Sequence, residues 1–429
     1  MIKVYDARQD QDAILEKLAA RNREIDESVR ETVRGMIKAV REEGDVALLR
    51  YSKQFDWPLM TGRDIVVSED EIAAAYGEIQ PKTLNALRAA AVNIRAYHEK
   101  QLREGYMMGE RGKRTGQLIR PLNRVGVYVP GGRAAYPSSV LMNILPAKVA
   151  GVQDVIMVTP PDQSGKINPM TLVAANEAGA DKVLRIGGAQ AIAALAYGTN
   201  TVPKVDKITG PGNIYVAAAK REVFGTVGID MMAGPSEVLI VADMSANAAF
   251  VAADMLSQAE HDPLAAAFLV TDSLKLAEMV QDQLARQLGR LERQDIARSS
   301  IEDQSGIIIT QSVADSIEVA NRIAPEHLEL MLERPAAYLD QVQNAGAVFL
   351  GAYSPEPLGD YFAGTNHVLP TGGTARFSSP LGVDDFIKRT SMVFYSREGL
   401  ETAAVDVTTL AYAEGLSAHA RAIEIRFEK

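Results

Sequence analysis

Between Val125 and Tyr353 the chain repeats one unit, a short β-branched run, a turn, then an alanine-rich helix, and this alternation constrains the fold more than any other feature. "RVGVYVPGG", "QDVIMVTPP", "KVLRIGGAQ" and "VDKITGPGN" read as strands and turns. "SSVLMNILPAKVAGV", "PMTLVAANEAGA", "AIAALAYG" and "IYVAAAKREVFG" are the helices between and after them. A second block repeats the rhythm with strands "SEVLIVAD", "AAFLVTD", "SGIIITQ", "HLELML" and "AVFLGAY". Its helices are "ANAAFVAADMLSQAE", a long one from Leu274, "SVADSIEVANRI" and "PAAYLDQVQNAG". Strands that alternate with helices form parallel sheets, so the expected class is α/β, with two incomplete Rossmann-like domains. Sheets of that kind bind ligands at the carboxyl ends of their strands.

The flanks differ. "DESVRETVRGMIKAVREEGDVALLRYSKQFD" and "PKTLNALRAAAVNIRAYHEKQLREG" carry apolar residues three and four apart, which predicts helix up to about Gln117. His98 lies in the second of these among polar neighbours and reads as part of a solvated face. "GDYFAGTNHVLPTGGTARFSSPLGVDDF" is rich in Gly, Thr and Ser, and a loop that long in a compact domain is usually functional. From about 381 onward the chain reads as a separate, mostly helical tail. The expected division is 26–127 with 237–380 as the first Rossmann-like domain, 128–236 as the second, and 1–25 and 381–429 as terminal segments.

Composition removes several functions. A net charge of −10 and a pI near 5.2 leave no basic footprint for nucleic acid or an anionic membrane. The N-terminus lacks an apolar signal-like run, and a cytoplasmic location is expected. The chain has no cysteine, which excludes disulfides, thiolate metal sites and a thiol nucleophile.

Three strand-to-helix turns, "YVPGGR", "RIGGAQ" and "TGPGN", carry glycine and open a helix N-terminus to an anion, so a nucleotide fits there. "TGPGNIY" is not the dinucleotide fingerprint, because Tyr215 stands at its third glycine position. The five histidines narrow the chemistry further. In "LSQAEHDP", Gln258 and His261 are three apart on one helix face and make a mixed N/O donor set with nearby carboxylates. A plain helix end with a surface histidine explains the same segment. Elsewhere Glu326 adjoins His327, Asp360 and His367 share the long loop, and Glu414 and His419 flank Gly415. A carboxylate beside an imidazole suits general base and proton relay work. An ion pair or a helix cap is the structural alternative.

"IDMMAGPSEVLIVADMSANAAFVAADMLSQAEHD" resembles the histidinol dehydrogenase family, and the resemblance extends through "YVPGG", "GGAQAIAALAYGT", "GPGN", "APEHLEL", "AGTNHVLPT" and "GLSAHA". It implies NAD-dependent oxidation of L-histidinol through L-histidinaldehyde to L-histidine. It also implies one zinc ion per subunit, with manganese a possible substitute, held by Gln258, His261, Asp360 and His419. Glu326 and His327 would be the acid/base pair. Ser236, His327, Glu414 and His367 would contact substrate alongside the metal ligands, and Tyr128, Gln190 and Asn213 would contact NAD. The family resemblance further implies a domain-exchanged homodimer in which the tail, with residues 1–25, reaches the partner. Glu260 would have only a supporting role.

One elementary requirement agrees with this. Oxidising an aldehyde to an acid needs a nucleophile on the carbonyl, and without a thiol, water activated by a carboxylate takes that place. Two other classes remain open from the residues: a metal-dependent hydrolase with the same donor set, and a non-catalytic two-lobed binding protein.

Overall fold

The computed structural model describes residues 2–9, 12, 26–131, 135–231 and 234–428. It divides into two compact units: residues 2–101 with 122–386, and 102–121 with 387–428.

The larger unit holds two parallel sheets. The six-stranded sheet contains β1 (Lys3–Asp6), and the segment between it and residue 26 lies mostly outside the described residues, as does most of the expected 1–25 piece. β1 pairs in parallel with a strand 303 residues later, so the chain opens with an edge strand instead of a helix. The helices Glu27–Glu43, Asp45–Phe55, Glu69–Glu78 and Pro81–Glu99 follow. Three of the four starts are marked by a side chain: Asp26 accepts from Ser28 N, Ser68 and Glu71 form a reciprocal capping box, and Pro81 occupies a first-turn position where no N–H is needed.

β2 (Tyr106–Glu110) and β3 (Lys113–Pro121) belong to the smaller unit, where they pair antiparallel. Helix was expected to persist to about Gln117. Gly109, Gly112 and Gly116 make that costly, and the first two adopt positive φ.

The five-stranded sheet is built from β4 (Arg124–Tyr128), β5 (Asp154–Val158), β6 (Lys182–Leu184), β7 (Lys207–Thr209) and β8 (Gly228–Ile229), in the order β6-β5-β4-β7-β8. The six-stranded sheet continues with β9 (Glu237–Ala242), β10 (Ala266–Thr271), β11 (Gly306–Ile309), β12 (His327–Met331) and β13 (Ala347–Leu350), in the order β1-β11-β10-β9-β12-β13. Central strands such as β9, "EVLIVA", are buried at every residue, because helices cover both faces of a parallel sheet. The segment 335–341, expected as α-helix, is a 3-10 turn.

Residues 26–127 were expected to fold with 237–380. Their helices instead supply the core of the five-stranded sheet: Val33, Val40 and Leu48 pack with Ile156 and Ala193 on one face, and Leu87 and Ile94 pack with Val127 and Leu145 on the other. Helix periodicity identifies an apolar face but not the sheet that receives it. His98 is fully buried there: Nδ1 donates to Ile94 O at 2.7 Å, and Asn366 Nδ2 donates to Nε2 at 3.3 Å. The solvated face expected for it is covered by a loop from 268 residues later.

In the smaller unit, β14 (Ile387–Tyr395) pairs along all nine residues with β3. The tail therefore opens as a strand before its two helices, Arg397–Ala413 and Ser417–Glu424, which are separated by Gly415 at φ +75°. No helix of the described residues is long and apolar enough to cross a membrane.

Candidate active site

The polar cluster assembles at the amino edge of the six-stranded sheet. Glu237 begins β9, His327 begins β12, and the two strands are neighbours. The helix after β9, Ala248–Ala259, runs back against the strands, so its last turn with Gln258 returns to the same edge. The long loop adds Asp360 and His367. Asp360 was expected in irregular chain but sits on a short helix, Glu356–Tyr361, which places it one turn after Glu356.

His327 is the centre. Its Nδ1 lies 3.1 Å from Glu237 O, and a carbonyl only accepts, so Nδ1 carries the proton. Nε2 is then a bare lone pair, buried and without a partner among the described residues. It stands 3.8 Å from Asp360 Oδ1 and 4.0 Å from Glu356 Oε1. Burial holds the imidazole down to about 3, so the ring is neutral near pH 7. Glu326, adjacent and 5% exposed, accepts from Glu237 N through Oε2 at 2.9 Å. Burial, then the charges of Glu237, Asp360 and Glu356, push its carboxyl well above the usual range. A carboxyl raised in this way is a stronger base than free glutamate.

His367 completes the near side. Nδ1 donates to Asp360 O at 3.2 Å, and Ser139 Oγ lies 3.4 Å from Nε2. Burial lowers its imidazole to about 4. Ser139 belongs to the helix after β4, so the carboxyl edge of the five-stranded sheet meets the amino edge of the other here.

Gln258 is 1% exposed, and its Oε1 is buried without a partner. A buried amide oxygen without a donor is a candidate ligand for a hard or borderline divalent cation. The neighbouring Ser257 hydroxyl reaches Glu356 at 3.4 Å. His261 is exposed just past the helix end, and Glu260 forms the helix C-cap. Ser236 immediately precedes β9, with its carbonyl taken by Ala266 N. Glu414 and His419 belong to the smaller unit and are exposed there. His327, Glu356 and Asp360 form a set whose ligand atoms lie within 4.8 Å of one another.

Glu356 was missed from sequence. It is buried, its N–H donates to Glu329 Oε1 at 2.9 Å, and its carboxyl is pushed up to about 8, by burial first and then by Asp360. The signal existed: "EPLGD" sets Glu356 and Asp360 four apart, on one face of any helix.

The three nucleotide candidates sit at the carboxyl edge of the five-stranded sheet. Tyr128 ends β4, and Gly188 N donates to its hydroxyl at 3.2 Å. Gln190, in the first turn of the Gly188–Tyr197 helix, is 1% exposed. Asn213 caps the Ile214–Val223 helix: its Oδ1 accepts from Tyr215 N and Val216 N, leaving the amide N–H groups for a ligand. Gly210 is required in that turn, since at φ +109° a Cβ would lie 2.0 Å from Tyr128 O. Buried Lys220 donates to Gly210 O at 3.0 Å and pairs with Asp230, which accepts from Gly210 N at 2.8 Å.

The chain matches the family model for histidinol dehydrogenase over residues 19–427. It is 56% identical over 402 residues to histidinol dehydrogenase of Streptococcus mutans, covering 94% of this chain and 93% of the relative. It is 55% identical over 405 residues to that of Heliobacterium mobile, covering 94% and 95%. The crystal structure of histidinol dehydrogenase from Elizabethkingia anophelis superposes with a TM-score of 0.94 at 39% identity, over 99% of this chain and 98% of that one. Agreement of this extent in sequence and fold makes the chain a member of the histidinol dehydrogenase family.

Proposed function

We propose that the protein oxidises L-histidinol to L-histidine through L-histidinaldehyde, with two equivalents of NAD as hydride acceptor. The observation that carries this reading is the pair at the head of β12: a neutral histidine with an unpartnered Nε2, beside a buried carboxyl of raised basicity. A binding protein has no need of that pair, and a hydrolase has none for the polar turns at the other sheet.

His327 Nε2 accepts the hydroxyl proton as the alcohol is oxidised. Glu326 takes a proton from the water that adds to the aldehyde, and the second oxidation follows. Glu237 fixes both residues, through its carbonyl on His327 and its N–H on Glu326. Ser236, His367 and Glu414 contact substrate. Gln258, His261, Asp360 and His419 would hold one zinc or manganese ion, which when bound supplies a charge that orients the substrate's nitrogen atoms. The exposed Glu414 and His419 favour a domain-exchanged homodimer in which they serve the partner's site. The enzyme would act in the cytoplasm, on a small molecule, without nucleic acid or membrane.

The test is stoichiometry. Metal-replete protein should form two NADH per histidinol. One NADH would mean arrest at the aldehyde, and none would remove the reading.

A further inference from the structure

A part-buried carboxylate stands at the amino end of the Gly188–Tyr197 helix, and none of the chemistry above uses it. Asp56 follows the Asp45–Phe55 helix directly, and its carboxylate accepts from Gly187 N and, at 3.3 Å, from Gln190 Nε2. Gly188 N is taken by the Tyr128 hydroxyl. Two N–H groups at this helix start are therefore capped by the chain's own side chains, one of them an anion. A ligand phosphate would meet a carboxylate here instead of free donors.

The same place is rich in acceptors. A carboxylate offers about four lone-pair directions, and only two donors are accounted for. Gln190 is 1% exposed with Oε1 buried and unpartnered. That oxygen stands over the helix start, since a Cβ on Gly188 would lie 2.6 Å from it. A buried amide oxygen without a donor beside a part-buried carboxylate with lone pairs to spare calls for a ligand carrying uncharged hydroxyls, and a ribose diol supplies two. Burial pushes the Asp56 carboxyl up to about 6, so the chain keeps a charge there at a cost in stability.

We infer that Asp56, with Gln190, reads the adenosine ribose hydroxyls of the cofactor and thereby selects NAD over its 2′-phosphorylated form. The inference rests on the proposed NAD role of Tyr128 and Gln190. A 2′-phosphate would bring two negative charges against the carboxylate, whereas a 2′-hydroxyl donates to it.

The experiment measures binding by calorimetry, and kcat/KM with histidinol, for NAD and NADP on the metal-replete wild type, Asp56→Asn and Asp56→Ser. The wild type should prefer NAD. In both variants NAD affinity should fall about tenfold or more while NADP affinity holds or rises, so the NAD/NADP ratio falls at least about tenfold. Because the comparison is a ratio, partial unfolding of either variant does not move it. Equal losses for both cofactors, or no loss, would make Asp56 a helix cap alone and overturn the inference while leaving the dehydrogenase reading intact. Wild-type protein that binds neither cofactor and forms no NADH would overturn both.

Discussion

If Glu326 is the base for the second oxidation, replacing it with Gln should separate the two half-reactions. The side chain is 5% exposed, and its one backbone contact is acceptance from Glu237 N at 2.9 Å. Glutamine has the same shape, and its amide oxygen can keep that contact. It also removes a carboxyl whose ionisation is opposed by burial and by Glu237, Asp360 and Glu356. Stability should therefore stay within about 1 kcal/mol of wild type. The base is lost, and general base catalysis is worth about 10²- to 10⁴-fold, or roughly 3–5 kcal/mol at 1.36 kcal/mol per decade. That loss should fall on aldehyde oxidation. The alcohol step, whose proton goes to His327 Nε2, should slow by less than about tenfold. Separate assays started from histidinol and from histidinaldehyde measure this, with NADH per histidinol dropping from two towards one as aldehyde accumulates. Equal loss in both half-reactions would refute the division of labour. A large fall in melting temperature would show that Glu326 is needed first for folding.

Three further outcomes are expected. If Glu414 and His419 serve a partner's site, coexpressed His419→Ala and Glu326→Gln chains should form heterodimers with one intact site, giving about a quarter of wild-type activity in a random mixture; complete inactivity would place both residues in their own subunit's site. Lys220→Met should cost about 3–5 kcal/mol in urea denaturation, because it leaves Asp230 buried and unpaired and Gly210 O without its donor. A loss below about 1 kcal/mol would mean the pair does not brace the turn. Asp56 binds its proton more tightly folded, at about 6, than its ordinary value of 3.8, so its contribution to stability falls as pH rises through that window and is level above it. Asp56→Asn should gain on wild type by up to about 3 kcal/mol between pH 3.8 and pH 6, and parallel stability curves would contradict this.

The parallel sheets were legible in sequence because their strands are continuous apolar runs closed by turns. The pairing of Glu326 with His327 was legible because the two are adjacent. What pattern alone could not supply is which surfaces meet. Leu87 and Val33 announce buried faces, yet only the packed chain shows that they cover the five-stranded sheet. His98 looks solvated until Asn366 arrives from the long loop. β1 has four residues and a partner 303 positions away, so its local pattern carries almost no information. Glu356 and Asp56 were overlooked for a related reason. A carboxylate reads as surface unless something shows that it is covered, and Glu356 is buried and Asp56 part-buried only in the folded chain, where Gln190 reaches Asp56 from 134 residues away.

Sheets of this kind bind ligands at their carboxyl edges; the proposed cofactor residues lie at such an edge of one sheet, whereas the proposed acid/base pair lies at the amino edge of the other, and the difference bears on the chemistry. Tyr128, Gln190 and Asn213 lie at or just beyond the carboxyl ends of β4, β6 and β7, where turns expose helix N-termini. Glu237 and His327 begin their strands, so the proposed acid/base pair lies at an amino edge, and the returning helix adds Gln258 there. An amino edge presents strand N–H groups, and the chain spends one of them, Glu237 N, on Glu326. The neighbouring carbonyl of Glu237 sets the tautomer of His327. One residue at the start of β9 thus supplies a donor for the carboxyl and an acceptor for the imidazole. A strand's carboxyl end beside a helix N-terminus offers mainly donors, which suits a phosphorylated cofactor and would leave Nδ1 of a histidine unfixed. Ser139, 3.4 Å from His367, marks where the two edges meet, so under the proposed function a hydride donor held at one and an acceptor held at the other would be brought together by opposite polarity of the two sheets.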